Sequence, residues 1–281
     1  MKKRLLSMGL VLALAAGSIA ACGSNSDNGK EGATLTVLNY GKYIDEDAVK
    51  QFEKETGIKV KYEEYESPEE MYTKYKAGSI DYDVICSSEY MVEKLINEGE
   101  VLQMDYAGME NYKNLDPTII DMSSAYDKDH NYSLPYFYGT LGLLYNKTEV
   151  DPSVVKSWDC LWDPTYEDEI IMENSVRDTF APALIDLGYS LNETDETHLR
   201  EALDVLKKQK DDKIVYGYYV DETADAMIGE EALIALCYSG EAALAMDEND
   251  NLDYSVPEEG SNLWIDSWFV PKTCKNQDAA M

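Results

Sequence analysis

Residues 34–65, TLTVLNYGKYIDEDAVKQFEKETGIKVKYEEY, contain a strand, a helix and a second strand in their pattern. Residues 34–40 are β-branched and apolar, which predicts a strand. Residues 45–56 carry apolar side chains at helical spacing, and Gly57 supplies a C-terminal stop. Residues 58–65 alternate as the second strand. This order favours parallel strands, so we expect a helix packed on a parallel sheet.

The alternation continues beyond this stretch. Ser-Pro-Glu-Glu at residues 67–70 is a capping-box helix start, and the helix that it opens ends near Gly78. Residues 83–86 predict a short buried strand, and Ser88 can cap a helix at residues 89–97. Three strands that alternate with three helices predict an α/β fold, in which helices cover the faces of a parallel sheet.

The rest of the chain is more mixed. Residues 132–145 form a long apolar, aromatic stretch that could cross from one lobe to another, and residues 154–162 have a helical pattern. Residues 194–210 predict an amphipathic helix. Residues 232–238 predict either a strand or a buried helix end, which the pattern alone does not distinguish. Residues 263–270 predict a strand rich in aromatic residues.

The N-terminus, MKKRLLSMGLVLALAAGSIAACG, combines a basic head, a short apolar run and small residues. This order is typical of an export signal, and the apolar run is shorter than the roughly 20 residues of a membrane-spanning helix. Ile-Ala-Ala-Cys at residues 19–22 resembles a bacterial lipobox, in which Cys22 becomes the lipidated first residue. An ordinary signal peptide with an incidental cysteine and a retained membrane anchor are the alternatives. We expect a signal peptide at residues 1–21, a flexible tether at residues 22–33, and a location outside the cytoplasmic membrane of a bacterium, with a lipid anchor in that membrane.

The composition restricts the possible partners. The formal net charge of −31 excludes nucleic acid, because a polyanion would be repelled. The same charge favours cationic ligands, although excess acid is also a common route to solubility. Hydrophobic residues make up 44% of the chain, which is enough for a packed core.

The cysteines and histidines argue against metal or redox chemistry. Besides Cys22 there are four cysteines, and none of them forms a C-x-x-C pair. They are Cys86, Cys160, Cys237 and Cys274. Export permits disulfides, but the spacing assigns no pairing. Since the chain has only two histidines, we expect no catalytic histidine, no metal site and no cofactor.

Aromatic side chains lie beside acidic or polar ones at the predicted strand ends, where parallel sheets bind ligands. A cage of rings and carboxylates suits a flexible organic polycation, because each cation–π contact contributes about 0.5–2 kcal/mol and carboxylates bind ammonium groups through charge-assisted hydrogen bonds. No nucleophile elbow, phosphate-binding loop or zinc-hydrolase motif is present. The alternative is that these residues pack in the core or lie on the surface. The candidates are Tyr40, Tyr43, Ser88, Tyr90, Tyr238, Glu241, Trp264 and Asp266.

Several segments occur in the order and spacing of one protein family. They are Asn39-Tyr40 with Tyr43, FEKETGIKV at residues 52–60, YSLPY at residues 132–136, SWDCLW at residues 157–162 and WIDS at residues 264–267. From about residue 35 to residue 281, the chain resembles the bacterial spermidine/putrescine-binding proteins of polyamine ABC transporters, which are periplasmic-binding-protein-like solute receptors. The resemblance implies two α/β lobes joined by crossing strands, with the ligand in the cleft between them and lobe closure on binding.

The resemblance also implies where the lobes divide. Lobe one would cover residues 34–136 and 264–281, and lobe two would cover residues 137–263. The family continues for several tens of residues beyond KTCKNQDAAM, the last ten residues here. We therefore expect the chain to be truncated at its C-terminus.

By motif, the resemblance assigns a role to each candidate and adds Asp178. The binding aromatics are Tyr40, Tyr43, Tyr90, Tyr238 and Trp264, the polar contact is Ser88, the amine-binding acids are Asp178 and Asp266, and Glu241 matches an acid of putrescine-preferring relatives. There are departures from the family pattern. Tyr40 stands where tryptophan is common, and Ser175 replaces an acid of the spermidine-binding pattern. Loss of that acid weakens the hold on a third amine, so the expectation leans towards the diamine.

The function that the resemblance implies is that of a membrane-anchored extracytoplasmic receptor. It would capture putrescine or spermidine, deliver the ligand to the permease subunits of an ABC transporter, act as a monomer and catalyse no reaction. Three alternatives remain open. The first is a receptor for another small solute, such as an amino acid, a cationic amine or a metal chelate. The second is a hydrolase that uses Asp178 and Asp266 as an acid pair. The third is a surface lipoprotein for adhesion or sensing.

Overall fold

The computed structural model describes residues 32–281. The predicted signal peptide at residues 1–21, the lipidation site Cys22 and all but the end of the predicted tether lie outside the described residues. Between residues 32 and 281, no helix is both long enough and apolar enough to cross a bilayer.

Strands and helices alternate along the described part of the chain. The strands are β1 (Thr34–Tyr40), β2 (Lys59–Tyr65), β3 (Val84–Ser88), β4 (Ser133–Asn146), β5 (Ile170–Glu173), β6 (Val215–Tyr219), β7 (Ile234–Tyr238), β8 (Leu252–Ser255) and β9 (Leu263–Phe269). The α-helices are α1 (Glu46–Thr56), α2 (Pro68–Ala77), α3 (Glu89–Asn97), α4 (Pro117–Ser123), α5 (Val176–Asp186), α6 (Glu196–Asp211), α7 (Thr223–Ile228), α8 (Ser239–Glu248) and α9 (Gln277–Ala280).

The strands form a mixed sheet in the order β2-β1-β3-β9-β4-β7-β5-β6, with β8 paired to β4. At one end, β1 is parallel to both β2 and β3, which confirms the parallel sheet predicted from the first part of the chain. At the other end, β5 is parallel to both β6 and β7. The strands between them, β9 and β4, are antiparallel to their neighbours.

The long aromatic stretch predicted to cross the molecule is β4. Its residues 133–140 pair with β9, and its residues 141–146 pair with β7 and β8. Successive parts of this one strand therefore belong to both groups of strands.

The helix boundaries of α1 and α2 follow the predicted signals. Ser67 accepts a hydrogen bond from the backbone N–H of Glu70 at 3.3 Å, and Pro68 occupies the first helical position. Gly57 and Gly78 end the two helices at φ values of 72° and 64°, which only glycine adopts without strain.

Three local predictions needed correction or completion. Ser88 lies at the N-cap position of α3, but its side chain makes no capping bond because it donates to Asp266 instead. Residues 154–162 form two short 3-10 helices, Val154–Lys156 and Trp158–Trp162. Residues 232–238, left open between strand and helix, contain the strand β7.

Separate apolar clusters support the two ends of the sheet. One contains Leu38, Ile85 and Phe269, and another surrounds the fully buried Trp158. The four cysteines for which the sequence assigned no pairing are buried and free: Cys86, Cys160, Cys237 and Cys274. The apolar clusters that contain Phe269 and Trp158 leave a cavity between them, at the ends of the strands that carry the candidate residues.

Candidate functional site

A cavity of about 1270 Å³ lies where the two groups of strands meet. β1, β3, β7 and β9 bring residues to it, as do the first turns of α3, α5 and α8. The structure brings all nine candidate site residues to this one cavity. They are Tyr40, Tyr43, Ser88, Tyr90, Asp178, Tyr238, Glu241, Trp264 and Asp266.

Asp266 is the buried acid at one end of the cavity, with 5% of its surface exposed. The register of β3 against β9 places it opposite Ser88, whose Oγ donates to Asp266 Oδ1 at 2.7 Å. Tyr43 Oη donates to Asp266 Oδ2 at 2.7 Å, and Tyr40 Oη donates to Ser88 Oγ at 3.2 Å. Neutral hydroxyls therefore satisfy both carboxyl oxygens, and no cation of the described chain is among these partners.

The titration of Asp266 follows from this environment. Burial raises the pKa of Asp266 to about 7, and the hydrogen bonds from Tyr43 and Ser88 oppose that rise. The negative charges of Glu89 and Asp178 raise the pKa further. An ammonium group placed against Asp266 would counteract this shift, because an opposite charge stabilises the carboxylate.

Asp178 is a second acid of the cavity, in the first turn of α5. Its Oδ2 accepts hydrogen bonds from Tyr238 Oη and Ser175 Oγ, each at 2.6 Å, and its Oδ1 accepts from Asn262 Nδ2 at 3.3 Å. Ser175, which replaces an acid of the family pattern, therefore stabilises Asp178 through this hydrogen bond. No local sequence pattern indicates Asn262, which reaches Asp178 only through the fold.

Aromatic rings form walls of the cavity near both acids. The rings of Tyr40 and Tyr43 meet edge to face at 5.2 Å, and those of Tyr238 and Trp264 do so at 5.7 Å. The indole N–H of Trp264 is buried and has no hydrogen-bond partner among the described residues. Paired rings of this kind present faces that can hold methylene groups and attract cations.

A β-bulge adds aromatic residues that the sequence reasoning did not assign to the site. Along β4, Pro135 pairs with Ser267 and Tyr138 pairs with Ile265, so Tyr136 and Phe137 together lie opposite the single residue Asp266. The ring of Phe137 lies 5.1 Å from that of Tyr43, and Tyr136 Oη donates to the carbonyl of Tyr43 at 3.0 Å. The sequence feature that could have indicated these two residues is the aromatic character of residues 132–145.

Glu241 lines the cavity from the first turn of α8. Burial and the negative charge of Asp221 raise its pKa to about 8, while Lys42 lowers it. Asp221 also lines the cavity, and its own pKa is raised by burial and by the charge of Glu222. The sequence reasoning missed Asp221, since only the fold brings the loop after β6 to this place.

Tyr90 is placed differently from the other aromatic candidates, because it already has a cation on its ring. The guanidinium of Arg177 lies 4.4 Å from the ring centroid, and Tyr90 Oη donates to Glu69 Oε1 at 3.1 Å. Arg177 is exposed and donates to Asn192 Oδ1 at 3.0 Å. It lines the cavity and was not among the predicted residues.

The chemistry of the cavity is that of a binding site for an organic cation. Within residues 32–281, no group of three histidine, cysteine or acidic side chains is arranged to hold a metal ion. Asp266 and Asp178 instead have hydroxyl donors around them and aromatic rings beside them. Such a set can neutralise ammonium groups and pack against the carbon chain between them.

Residues 47–281 match the family model described as bacterial extracellular solute-binding protein. The chain is 34% identical to the spermidine/putrescine-binding periplasmic protein of Salmonella typhimurium, over 95% of this chain and 76% of that protein. It is 31% identical to the putrescine/cadaverine-binding protein of Pseudomonas aeruginosa, over the whole of this chain and 78% of that protein.

A solved structure is similar over most of the molecule. It is that of a putative spermidine/putrescine ABC transporter from Listeria monocytogenes, which is 39% identical, covers 88% of this chain and 75% of that one, and superposes with a TM-score of 0.83. The neighbours of this fold are two-lobed periplasmic-binding proteins, which confirms the predicted fold class.

Proposed function

The chain belongs to the bacterial extracellular solute-binding proteins, and we propose that it is a receptor that captures a polyamine, putrescine or spermidine, for an ABC permease. The observation that carries this proposal is Asp266, a buried carboxyl whose partners are all neutral and which faces an aromatic cavity. The names of the relatives from Salmonella typhimurium and Pseudomonas aeruginosa, both polyamine-binding proteins, support the same ligand class.

In this proposal each predicted residue has a stated role. Asp266 binds one ammonium group, and Asp178 with Glu241 binds the other. The rings hold the methylene chain between the ammonium groups, and they are those of Tyr40, Tyr43, Tyr90, Tyr238 and Trp264. Ser88 fixes the orientation of the Asp266 carboxyl through the hydrogen bond described above. Since Ser175 supplies no charge at the Asp178 end, a diamine fits the acids better than a triamine does.

The proposal includes the organisation of the whole chain. Residues 34–136 with 264–281 form lobe one, residues 137–263 form lobe two, and the two close around the ligand. The pairing of β4 supports a division close to residue 140, where its partner strand changes. A signal peptide at residues 1–21 would direct export, and a lipid on Cys22 would anchor the receptor beside its permease. Delivery of an unchanged ligand requires no catalysis.

Isothermal titration calorimetry tests the proposal directly. The chain without residues 1–21 is titrated with putrescine, spermidine and spermine at physiological salt, and with 1,4-butanediol as an uncharged ligand of the same length as putrescine. We expect one-to-one binding of micromolar affinity or tighter for at least one polyamine and no heat from the diol. A folded protein that binds none of the three amines would contradict the receptor function.

A further inference from the structure

Asn262 makes hydrogen bonds to both the crossing strand β4 and an acid of the cavity. Its Oδ1 accepts the backbone N–H of Leu141 at 3.0 Å, and its Nδ2 donates to Asp178 Oδ1 at 3.3 Å. Only this orientation of the amide satisfies both contacts, because a backbone N–H requires an acceptor and a carboxylate oxygen requires a donor. One half-buried side chain therefore joins the backbone of β4 to an acid of the proposed ligand site.

The bond from Asn262 to β4 lies where this strand changes partners. Thr140 pairs with β9, and the next residue, Leu141, pairs with β7. A regular ladder therefore does not run through these two residues, and side chains bond their backbone polar groups instead. Ser239 and Asn262 accept from the two N–H groups, and Tyr254 and Ser261 donate to the two carbonyls.

Asp178 has one oxygen that remains open to a ligand, and it is the oxygen that Asn262 contacts. Oδ2 accepts from both Tyr238 and Ser175, whereas Oδ1 accepts from Asn262 alone among the described residues. A carboxylate oxygen has about two lone-pair sites, so Oδ1 can still accept from an ammonium group. The two donors on Oδ2 leave the carboxylate free to turn about that oxygen, and the bond from Asn262 removes this freedom.

We propose that Asn262 is a positioning residue of the ligand site, which fixes the orientation of Asp178 Oδ1 and makes the contact of that oxygen with an ammonium group depend on the β4 crossing. This inference rests on the proposed polyamine site. A carboxylate that is already oriented loses less freedom when a cation binds to it, so this preorganisation increases the affinity for the ligand. Asn262 does not contact the ligand itself, because it acts through Asp178.

The link between the ligand and β4 acts in both directions, because a coupling between two contacts is reciprocal. An ammonium group on Asp178 Oδ1 steadies the carboxylate, and the carboxylate in turn steadies the amide of Asn262 and its bond to Leu141. A ligand in the cavity should therefore protect the backbone of β4 at the crossing.

A double-mutant cycle tests whether Asn262 acts through Asp178. The affinity for putrescine is measured by calorimetry for the wild type, Asn262→Ala, Asp178→Ala and the double variant. We expect Asn262→Ala to weaken binding by about threefold to tenfold in the wild type and by less than about twofold in Asp178→Ala. Equal losses in both backgrounds would overturn the inference, because Asn262 would then act only by supporting β4.

Ser239→Ala is the matched control, because Ser239 bonds the neighbouring backbone group of β4. Its Oγ accepts the N–H of Thr140 at 3.2 Å and makes no hydrogen bond to Asp178 among the described residues. Any effect of Ser239→Ala on putrescine affinity should therefore be the same with and without Asp178. Coupling of Ser239 to Asp178 as strong as that of Asn262 would also overturn the inference, since the crossing as a whole would then be the cause.

A second measurement needs neither a ligand nor a change at Asn262. The rate of hydrogen exchange at the Leu141 amide is compared between the wild type and Asp178→Ala. If Asp178 holds Asn262 in place, its loss loosens the bond to Leu141, and the amide should exchange about twofold to tenfold faster. The neighbouring amide of Thr140, which Ser239 bonds, should change less.

The possible outcomes separate the two proposals. A wild type that binds putrescine, together with equal losses in the two backgrounds of the cycle, would overturn the inference and leave the receptor function intact. A wild type that binds no polyamine would contradict the receptor function. In that case, or where Asp178→Ala abolishes binding, an unchanged exchange rate at Leu141 in Asp178→Ala would separately overturn the link between Asp178 and β4.

Discussion

Asp266 and Glu173 are both buried carboxyls, and they differ in what surrounds them. Asp266 accepts hydrogen bonds from Tyr43 and Ser88, whereas neither oxygen of Glu173 has a partner among the described residues. The hydroxyl donors keep the pKa of Asp266 near 7, while that of Glu173 is raised well above its ordinary value. Donors stabilise the charged form, so they limit the rise in the pKa of Asp266, whereas Glu173 has no such contact to oppose the effect of burial.

Because Asp266 is the buried acid of the proposed site, Asp266→Ala should have the largest effect on binding. Loss of one partner of a buried charge pair costs about 2–5 kcal/mol, which corresponds to a loss of affinity of about thirtyfold or more. Calorimetry with putrescine measures this loss. Asp204→Ala, an exposed acid on α6, is the control. An affinity within twofold of the wild type would show that Asp266 does not bind the cation.

Tyr43→Phe removes one donor from Asp266 and keeps the ring. A hydrogen bond to a charged group contributes about 1.5–3 kcal/mol, so we expect at least about tenfold weaker putrescine binding. Without this donor the pKa of Asp266 rises further above 7, and the deficit in affinity should therefore be larger at pH 6 than at pH 8. Titrations at the two pH values measure it, with Tyr216→Phe as the exposed control. An equal deficit at both pH values would show that the Tyr43 hydroxyl does not lower the pKa of Asp266.

Ser175→Asp sharpens the comparison from the Asp178 end, because it adds an acid where Ser175 now donates to Asp178. A second carboxylate there can bind a third ammonium group through a charge-assisted hydrogen bond. We expect the ratio of spermidine to putrescine affinity to rise by about threefold to tenfold. Ser175→Asn, similar in size and uncharged, should leave the ratio unchanged. A ratio that rises equally in both variants would mean that charge is not the cause.

The smallest effect is expected at Tyr90, whose ring already carries the guanidinium of Arg177. Arg177→Gln frees the ring for an ammonium group of the ligand, and an exposed cation–π contact contributes about 0.5–1 kcal/mol. Spermidine affinity should improve by about twofold to fivefold, with less change for putrescine. Arg200→Gln, an exposed arginine on α6, is the matched control. Weaker spermidine binding would show that Arg177 helps to hold the ligand.

Local sequence signals predicted the first part of the fold well. Ser67, Gly57 and Gly78 set helix boundaries through backbone geometry within a few residues, so the boundaries that they predict are the ones that the structure has. The rule that ligands lie beyond the ends of parallel strands also selected side chains that the structure brings to one cavity.

The missed features depend on contacts between distant parts of the chain. Ser88 lies at the N-cap of α3, but its hydroxyl binds a carboxylate 178 residues away, which no local pattern indicates. Tyr136 and Phe137 enter the site through a bulge that exists only in the register of β4 against β9. Glu173 is the last residue of β5, and its lack of hydrogen-bond partners follows from the apolar residues of α7 and α8 that cover that face of the sheet.

The bulge in β4 has a mechanical consequence. β4 and β9 remain paired on both sides of Tyr136 and Phe137, so sliding one strand past the other would break many hydrogen bonds at once. If the two proposed lobes close, bending would concentrate where the bulge interrupts the ladder of hydrogen bonds. The rings of those same two residues line the cavity. A ligand packed against these two rings would stiffen β4 at the bulge. The same contacts would then hold the ligand and oppose reopening of the cavity.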